Sequence, residues 1–238
     1  MAATSAQDSV RAWDLPTRLF HWTLVALIAN AWLTFEYSEA LGDNVLKWHR
    51  INGYAILILL VFRLLWGVWG SSTSRFYNFV RGPRQVLGYA RALLRGEDRH
   101  YLGHNPLGTG MILLLLGLLL TQAVFGLFTL EHDETVAGPL KRFASDPTVA
   151  FMSWWHRRGF NIILGFVAVH VLANLGYAVF KRDPLIRAMV TGTKPRERFE
   201  DAAEASIVSH PLLRALLTLF FSAAVILGGI LALGGKLL

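Results

Sequence analysis

The chain contains no cysteine. That excludes disulfides, iron–sulfur clusters held by thiolates and covalently attached c-type haem. Charge is scarce as well: 16% of the 238 residues are Asp, Glu, Lys or Arg, against roughly 25% in an ordinary soluble domain. Strand-like alternation long enough for a barrel is missing, which removes the one non-helical way of crossing a bilayer. Redox chemistry, if any, must use ligands other than thiolate. Histidine, present eight times, is the obvious donor.

What the sequence has in quantity is apolar residues, 54% of the total. A spanning helix needs about 20 mostly apolar residues. Five segments qualify, at about 18–35, 51–69, 107–129, 160–180 and 212–233. The expected fold is an all-α integral membrane protein with five transmembrane helices. Ala29-Asn30-Ala31 imitates a signal-peptide cleavage site, but the apolar run continues through Trp32, Leu33 and Phe35, so helix 1 is expected to stay. Asp14-Leu15-Pro16 reads as its start. Residues 89–94 and 201–208 read as short amphipathic helices on the inner surface.

The net charge of +7 is topology rather than a nucleic-acid footprint. Basic and acidic connections alternate. Arg11 and Arg18 precede helix 1, six arginines from Arg75 to Arg99 join helices 2 and 3, and Lys181 to Arg198 follow helix 4. Glu36, Glu39 and Asp43 follow helix 1, and Glu131, Asp133, Glu134 and Asp146 precede helix 4. The positive-inside rule then puts the N-terminus in the cytoplasm and the C-terminus outside.

Four histidines lie in or at the ends of these apolar segments: His21, His49, His156 and His170. His156 and His170 are fourteen residues apart, about 21 Å of helix rise and within about 40° of four full turns. They leave one face at two depths. Topology sorts the four into an outer pair, His49 with His156, and an inner pair, His21 with His170. Two facing imidazoles are bis-histidine axial ligands for haem iron, and the two pairs make two haem b sites. A metal-ion or proton path is the other reading, since ionisable groups inside membranes serve function. The levels of the inner pair agree only if helix 4 projects beyond the membrane, and it is expected to begin near Asp146-Pro147 and to end at Asp183-Pro184.

Gly53, Gly159, Gly165 and Gly176 would let a macrocycle approach the backbone. Arg18, Arg50, Arg157 and Arg158 are placed for propionates, with Arg63 a weaker choice. Trp22 and Trp155 flank ligands. Trp13, Trp48, Trp69 and Trp154 read as interface anchors. His100, His132 and His210 read as solvated surface.

The strings RLFHW (18–22), WHRINGY (48–54), HYLGHNPLG (100–108) and WHRRG with VAVHVLANL (155–159, 167–175) resemble the bacterial cytochrome b561 family. They are most similar to the di-haem cytochrome b subunits of nickel–iron hydrogenases, and more distantly to the gamma subunit of membrane formate dehydrogenase. The likeness covers residues 10–195, implies a four-helix haem-binding bundle as a di-haem transmembrane domain of a bacterial inner membrane, and leaves 196–238 as a cytoplasmic linker and fifth C-terminal transmembrane helix. The resemblance implies electron passage between a periplasmic redox protein (hydrogenase, dehydrogenase or cytochrome c) and the quinone pool. It implies a quinone beside Asn105 and Gly108, with His104 adjacent, although Pro106 interrupts the match. It implies no catalytic side chain. A stand-alone superoxide:quinone oxidoreductase is the alternative within the same family. Partners are then membrane lipid, a quinone and a redox subunit, with no nucleic acid, and a homo-oligomer is compatible with the pattern.

Overall fold

The structure is a computed structural model that describes residues 9–42, 45–97, 99–130, 137–195, 199–201 and 206–237. A strand β1 (Ser9–Arg11) leads into α1 (Leu15–Glu36), a one-turn α2 (Ser38–Leu41) and α3 (Val45–Trp69). Then come α4 (Phe76–Phe79), α5 (Pro83–Leu94), α6 (Pro106–Gly126) and α7 (Asp146–Phe180). The chain continues with α8 (Leu185–Thr191), β2 (Thr193–Pro195) and α9 (Pro211–Ala232). All five expected segments are helices. Four of them, α3, α6, α7 and α9, are long and apolar enough to cross a membrane. The 22 residues of α1 suffice in length, but Arg18, His21, Asn30 and Glu36 dilute its apolar character.

Helix 4 begins where expected: α7 starts at Asp146 and runs 35 residues to Phe180, three residues short of Asp183-Pro184. The expected surface helix at 89–94 is the end of a longer one, with Pro83 in its first turn. Of the segment 201–208, residues 202–205 lie outside the described residues and 206–208 are not helical. Asp43, the acidic group 131–134 with His132, Arg196 and Arg198 also lie outside them.

The chain divides into two compact units. The first combines Met1–Leu19, Leu64–Leu114 and Phe166–Ala215. Asp14 organises it. One carboxylate oxygen accepts the Thr17 amide at 2.8 Å, which caps α1, and the other accepts the Trp66 indole N–H at 3.2 Å. Asp14 is only 4% exposed, and these donors meet the cost of burying a carboxylate. Antiparallel β1 and β2 pair Val10 with Lys194. Gly192, at φ 87°, ends α8 in the left-handed region that glycine tolerates. Its carbonyl takes the Ala12 and Trp13 amides. Trp13 is therefore no interface anchor: it is buried with Ala12, Leu102 and Ala188. Trp48, Trp69 and Trp154 are exposed, as the anchor reading requires.

Lys194 is 2% exposed. Its ammonium meets Asp183 at 2.8 Å and donates to the Tyr101 carbonyl at 2.9 Å. Asp201 receives the Leu102 and Gly103 amides at 2.6 and 2.9 Å. Tyr89 of α5 is buried and its hydroxyl sits 2.9 Å from that of Tyr177 on α7. Burial, then the bond to Tyr177, pushes the Tyr89 phenol well above its ordinary range. Asn105 caps α6: its side-chain oxygen accepts the Gly108 amide at 2.7 Å.

The second unit combines Phe20–Arg63, Leu115–Gly165 and Leu216–Leu238. Within it, α1 and α3 are joined by amides in apolar surroundings. Asn30 donates to Asn52 at 3.1 Å, and Asn52 donates to the Leu27 carbonyl at 2.8 Å. Such pairs hold membrane helices together because the alternative is a polar group facing hydrocarbon.

Two stability outcomes follow. Replacing Lys194→Met leaves Asp183 buried without its cation, and thermal unfolding in detergent should show a loss of about 3–5 kcal/mol. The double variant with Asp183→Leu should recover most of it. Asn105→Ala removes a helix cap and should cost about 1 kcal/mol, whereas Asn105→Asp should be nearly neutral; equal melting of the two variants would refute the capping role.

Candidate functional site

His49 near the start of α3 and His156 on α7 meet inside the second unit. Their ring centres are 6.2 Å apart and their planes cross at 88°. Each ring is anchored through Nδ1. His49 Nδ1 lies 3.0 Å from the Ala31 carbonyl oxygen and 3.3 Å from the Thr34 hydroxyl. His156 Nδ1 lies 2.8 Å from the Gln122 carbonyl oxygen. A carbonyl only accepts, so Nδ1 carries the hydrogen in both rings. In a neutral imidazole, Nε2 is then left as a bare lone pair, which is how a carbonyl behind the ring fixes the tautomer of a metal ligand.

The spacing fits one iron between them. With a metal–imidazole bond of about 2 Å, two rings ligating from opposite sides have centres roughly 6 Å apart. A bare divalent ion wants three or four protein ligands. Among the described residues no three His, Cys, Asp or Glu side chains group to provide them. Two opposed imidazoles suit a metal whose other positions a macrocycle fills.

The surroundings bear on the propionates and the ring. Arg50, next to His49, has a buried Nε without a hydrogen-bond partner among the described residues, and so has Arg18. Arg18 also donates through Nη1 to the Val190 carbonyl at 2.5 Å. A buried guanidinium nitrogen with no acceptor suits an anionic group beside it. Tyr54, one turn beyond Arg50 and 6% exposed, likewise has an unpartnered hydroxyl. Arg157 and Arg158 are exposed, and Arg63 is buried. A Cβ at Gly53 or Gly165 would meet nothing within 4 Å, as the expected room requires. Gly159 differs: the Trp155 indole lies over it, 2.8 Å from where a Cβ would be. Gly176 has only Phe180 of its own helix nearby, at 3.9 Å.

His21 lies in the second unit, its ring 5.1 Å from that of Trp22 and nearly perpendicular to it. His170 lies in the first unit. Asn174, one turn on, donates to its carbonyl at 2.7 Å and approaches its Nε2 at 3.3 Å. Of the two expected pairs, the outer one is brought together within one unit.

At the start of α6, Asn105 and Gly108 satisfy each other as cap and first-turn amide. His104 is stacked between Trp13 at 4.6 Å and Phe79 at 4.5 Å. The adjoining cavity, lined by Ser72, Thr73, Asn78 and Asp201, is about 10 Å³. That is room for one water and not for a quinone ring. His210 is exposed and His100 half-buried.

Sequence reasoning missed Thr34, Tyr54, Gln122 and Gly126. Gln122 had a signal: it is the only amide in the apolar run of α6, and polar groups at membrane depth serve function. The others had none, because threonine, tyrosine and glycine are ordinary in spanning helices.

Comparison with known proteins agrees with this geometry. The family model of prokaryotic cytochrome b561 matches residues 12–192. A protein of Bradyrhizobium diazoefficiens named "Probable Ni/Fe-hydrogenase B-type cytochrome subunit" is 26% identical over 79% of this chain and 87% of its own length. Proteins of the same name from Rhizobium leguminosarum bv. viciae and Cupriavidus necator are 24% and 23% identical, over 82% and 80% of this chain and 92% and 90% of theirs. With three-quarters of its length matched by one family, the chain belongs to the prokaryotic cytochrome b561 family, and is a membrane b-type cytochrome that transfers electrons.

Proposed function

We propose that this cytochrome carries electrons across the bacterial inner membrane between a periplasmic redox partner and the quinone pool, through two haem b groups. The outer one is held by His49 and His156, the inner one by His21 and His170. The observation that carries the reading is the pair of imidazoles with centres 6.2 Å apart and both Nδ1 atoms committed to carbonyls. Bound haem supplies an iron that changes oxidation state by one electron.

The chain's own groups do the rest. The carbonyls of Ala31 and Gln122 hold the two outer rings in the ligating tautomer. Arg50, Arg18 and Arg157 neutralise propionates. The rise of α7 separates the two ligand levels by about 21 Å. On this reading α1 spans as well, although His21 and Asn30 lower its hydropathy, and α9 makes a fifth span. The N-terminus and the arginine-rich connection lie in the cytoplasm, and the C-terminus in the periplasm. Residues 10–195 form the di-haem domain, and 196–238 the linker and added helix. Quinone reacts near the inner haem.

The names of the relatives favour a hydrogenase as the partner, with a dehydrogenase or cytochrome c in the same role as the other choices. Arg157 and Arg158, exposed beside His156, are what favours a superoxide:quinone oxidoreductase as a second reading, since they would attract an anion to the outer edge.

Purified protein should show two low-spin b haems per chain in dithionite-reduced minus oxidised spectra. His49→Ala and His156→Ala should each lower haem content from two to one and leave the same haem behind. His21→Ala and His170→Ala should remove the other. A His156→Ala protein that keeps both haems would sink the ligand assignment, and a colourless wild type would end the cytochrome reading in favour of a metal or proton path.

A further inference from the structure

The helix α6 supplies none of the four histidines, yet it makes the closest contacts to one of them. Gln122 and Gly126 are one turn apart and share a face. Gln122 bonds His156 twice: its carbonyl accepts from Nδ1 at 2.8 Å, and its side-chain Nε2 donates to the His156 carbonyl at 2.6 Å. The other end of that amide, Oε1, is buried and has no partner among the described residues. An amide kept in an apolar helix with its oxygen unsatisfied is explained by the bond its nitrogen makes. At Gly126 a Cβ would lie 2.8 Å from His156 Cε1 and 3.3 Å from Nδ1. Any side chain there would push the imidazole off the Gln122 carbonyl.

We propose that Gln122 and Gly126 are positioning residues for His156, fixing both the plane of its imidazole and the electron donation of its Nε2. The proposal rests on the reading that His156 is an axial ligand. The Gln122 contacts hold the ring by its far nitrogen, and the bare face of Gly126 lets it seat flat against α6. Two consequences follow for the outer haem. The plane is held at 88° to that of His49, and crossed axial imidazoles give a more anisotropic low-spin ferric signal than parallel ones. An Nδ1–H bonded to a carbonyl makes Nε2 a more basic ligand, which favours the oxidised iron and lowers its potential.

The test uses the purified full chain with its haems, and redox titration with low-temperature EPR. Gly126→Ala should retain haem and raise one of the two midpoints by about 59 mV or more, a tenfold change in a one-electron equilibrium. The signal of that haem should become less anisotropic, while the other midpoint and signal stay put. Gln122→Leu should change the same haem in the same direction by less, because the backbone carbonyl remains. It removes one bond and one unsatisfied acceptor together, so it tests positioning even if Gly126→Ala does not assemble. Gly117→Ala is the control: a Cβ there meets nothing within 4 Å, and both haems should be unchanged. Wild-type midpoints and signals in both Gly126→Ala and Gln122→Leu would overturn the proposal. His156→Ala separates the two layers. If it loses one haem while the α6 variants behave as wild type, the clamp is wrong and the ligand stands. If it keeps both haems, the ligand reading itself has failed.

Discussion

A backbone carbonyl can accept a hydrogen bond and cannot give one. In the second unit this decides the chemistry of two side chains. Both Ala31 and Gln122 present carbonyl oxygens to an Nδ1, so both imidazoles must turn their lone pairs elsewhere. The helices supply the rest of the arrangement. The start of α3 and the N-terminal half of α7 bring the rings to 6.2 Å. A helix ordinarily consumes its carbonyls within itself, but each oxygen has two lone pairs. A ligand imidazole can therefore draw on the ladder without breaking it. The Thr34 hydroxyl and the Gln122 side-chain amide add to this hold on the two residues.

The same economy governs the remaining polar groups. Asn30 and Asn52 close on each other and on Leu27, so two amides are carried between α1 and α3 with few loose ends. In the first unit, Asp14 serves a helix cap and an indole at once, and Lys194 is surrounded by acceptors. Both are buried charges, and each is tolerable only because several partners converge on it. There are exceptions. Among the described residues, Arg50, Tyr54 and Gln122 of the second unit each keep a buried polar atom without a partner, and so do Arg18 and Arg75 of the first.

Much of this could be read from the sequence, for identifiable reasons. Long apolar runs announce helices because no other open structure survives in hydrocarbon. The motif Asp14-Leu15-Pro16 announces the start of α1 because the cap is local. The alternating charges and the fourteen-residue interval on one helix made the outer pair legible before any contact was known. The limits of α7 followed from asking the inner ligands to agree in depth. What escaped was non-local. Strands β1 and β2, three residues each, are too short to alternate visibly and exist because they find one another. Trp13 looked like an anchor and is core, since β2 and α8 fold over it. Asn105 and Gly108 drew attention as neighbours of a cofactor, and their mutual hydrogen bond is a reason for that pairing which a helix start alone supplies. Gly126 was invisible because its meaning lies wholly in the ring opposite.

The length of α7 has a further consequence. Its 35 residues extend about 52 Å, well beyond a hydrocarbon core of about 30 Å. His156 and His170 stand on this single rod, with no loop, proline or hinge between them. Their separation is thus a property of helix rise, and a helix is stiff along its axis. Tunnelling rates fall steeply with distance, and a gap spanned by loops would make them fluctuate with every thermal excursion. On the two-haem proposal the gap would be set by a rigid ruler, and the rate of passage would be insulated from motion in the connections at either end of α7.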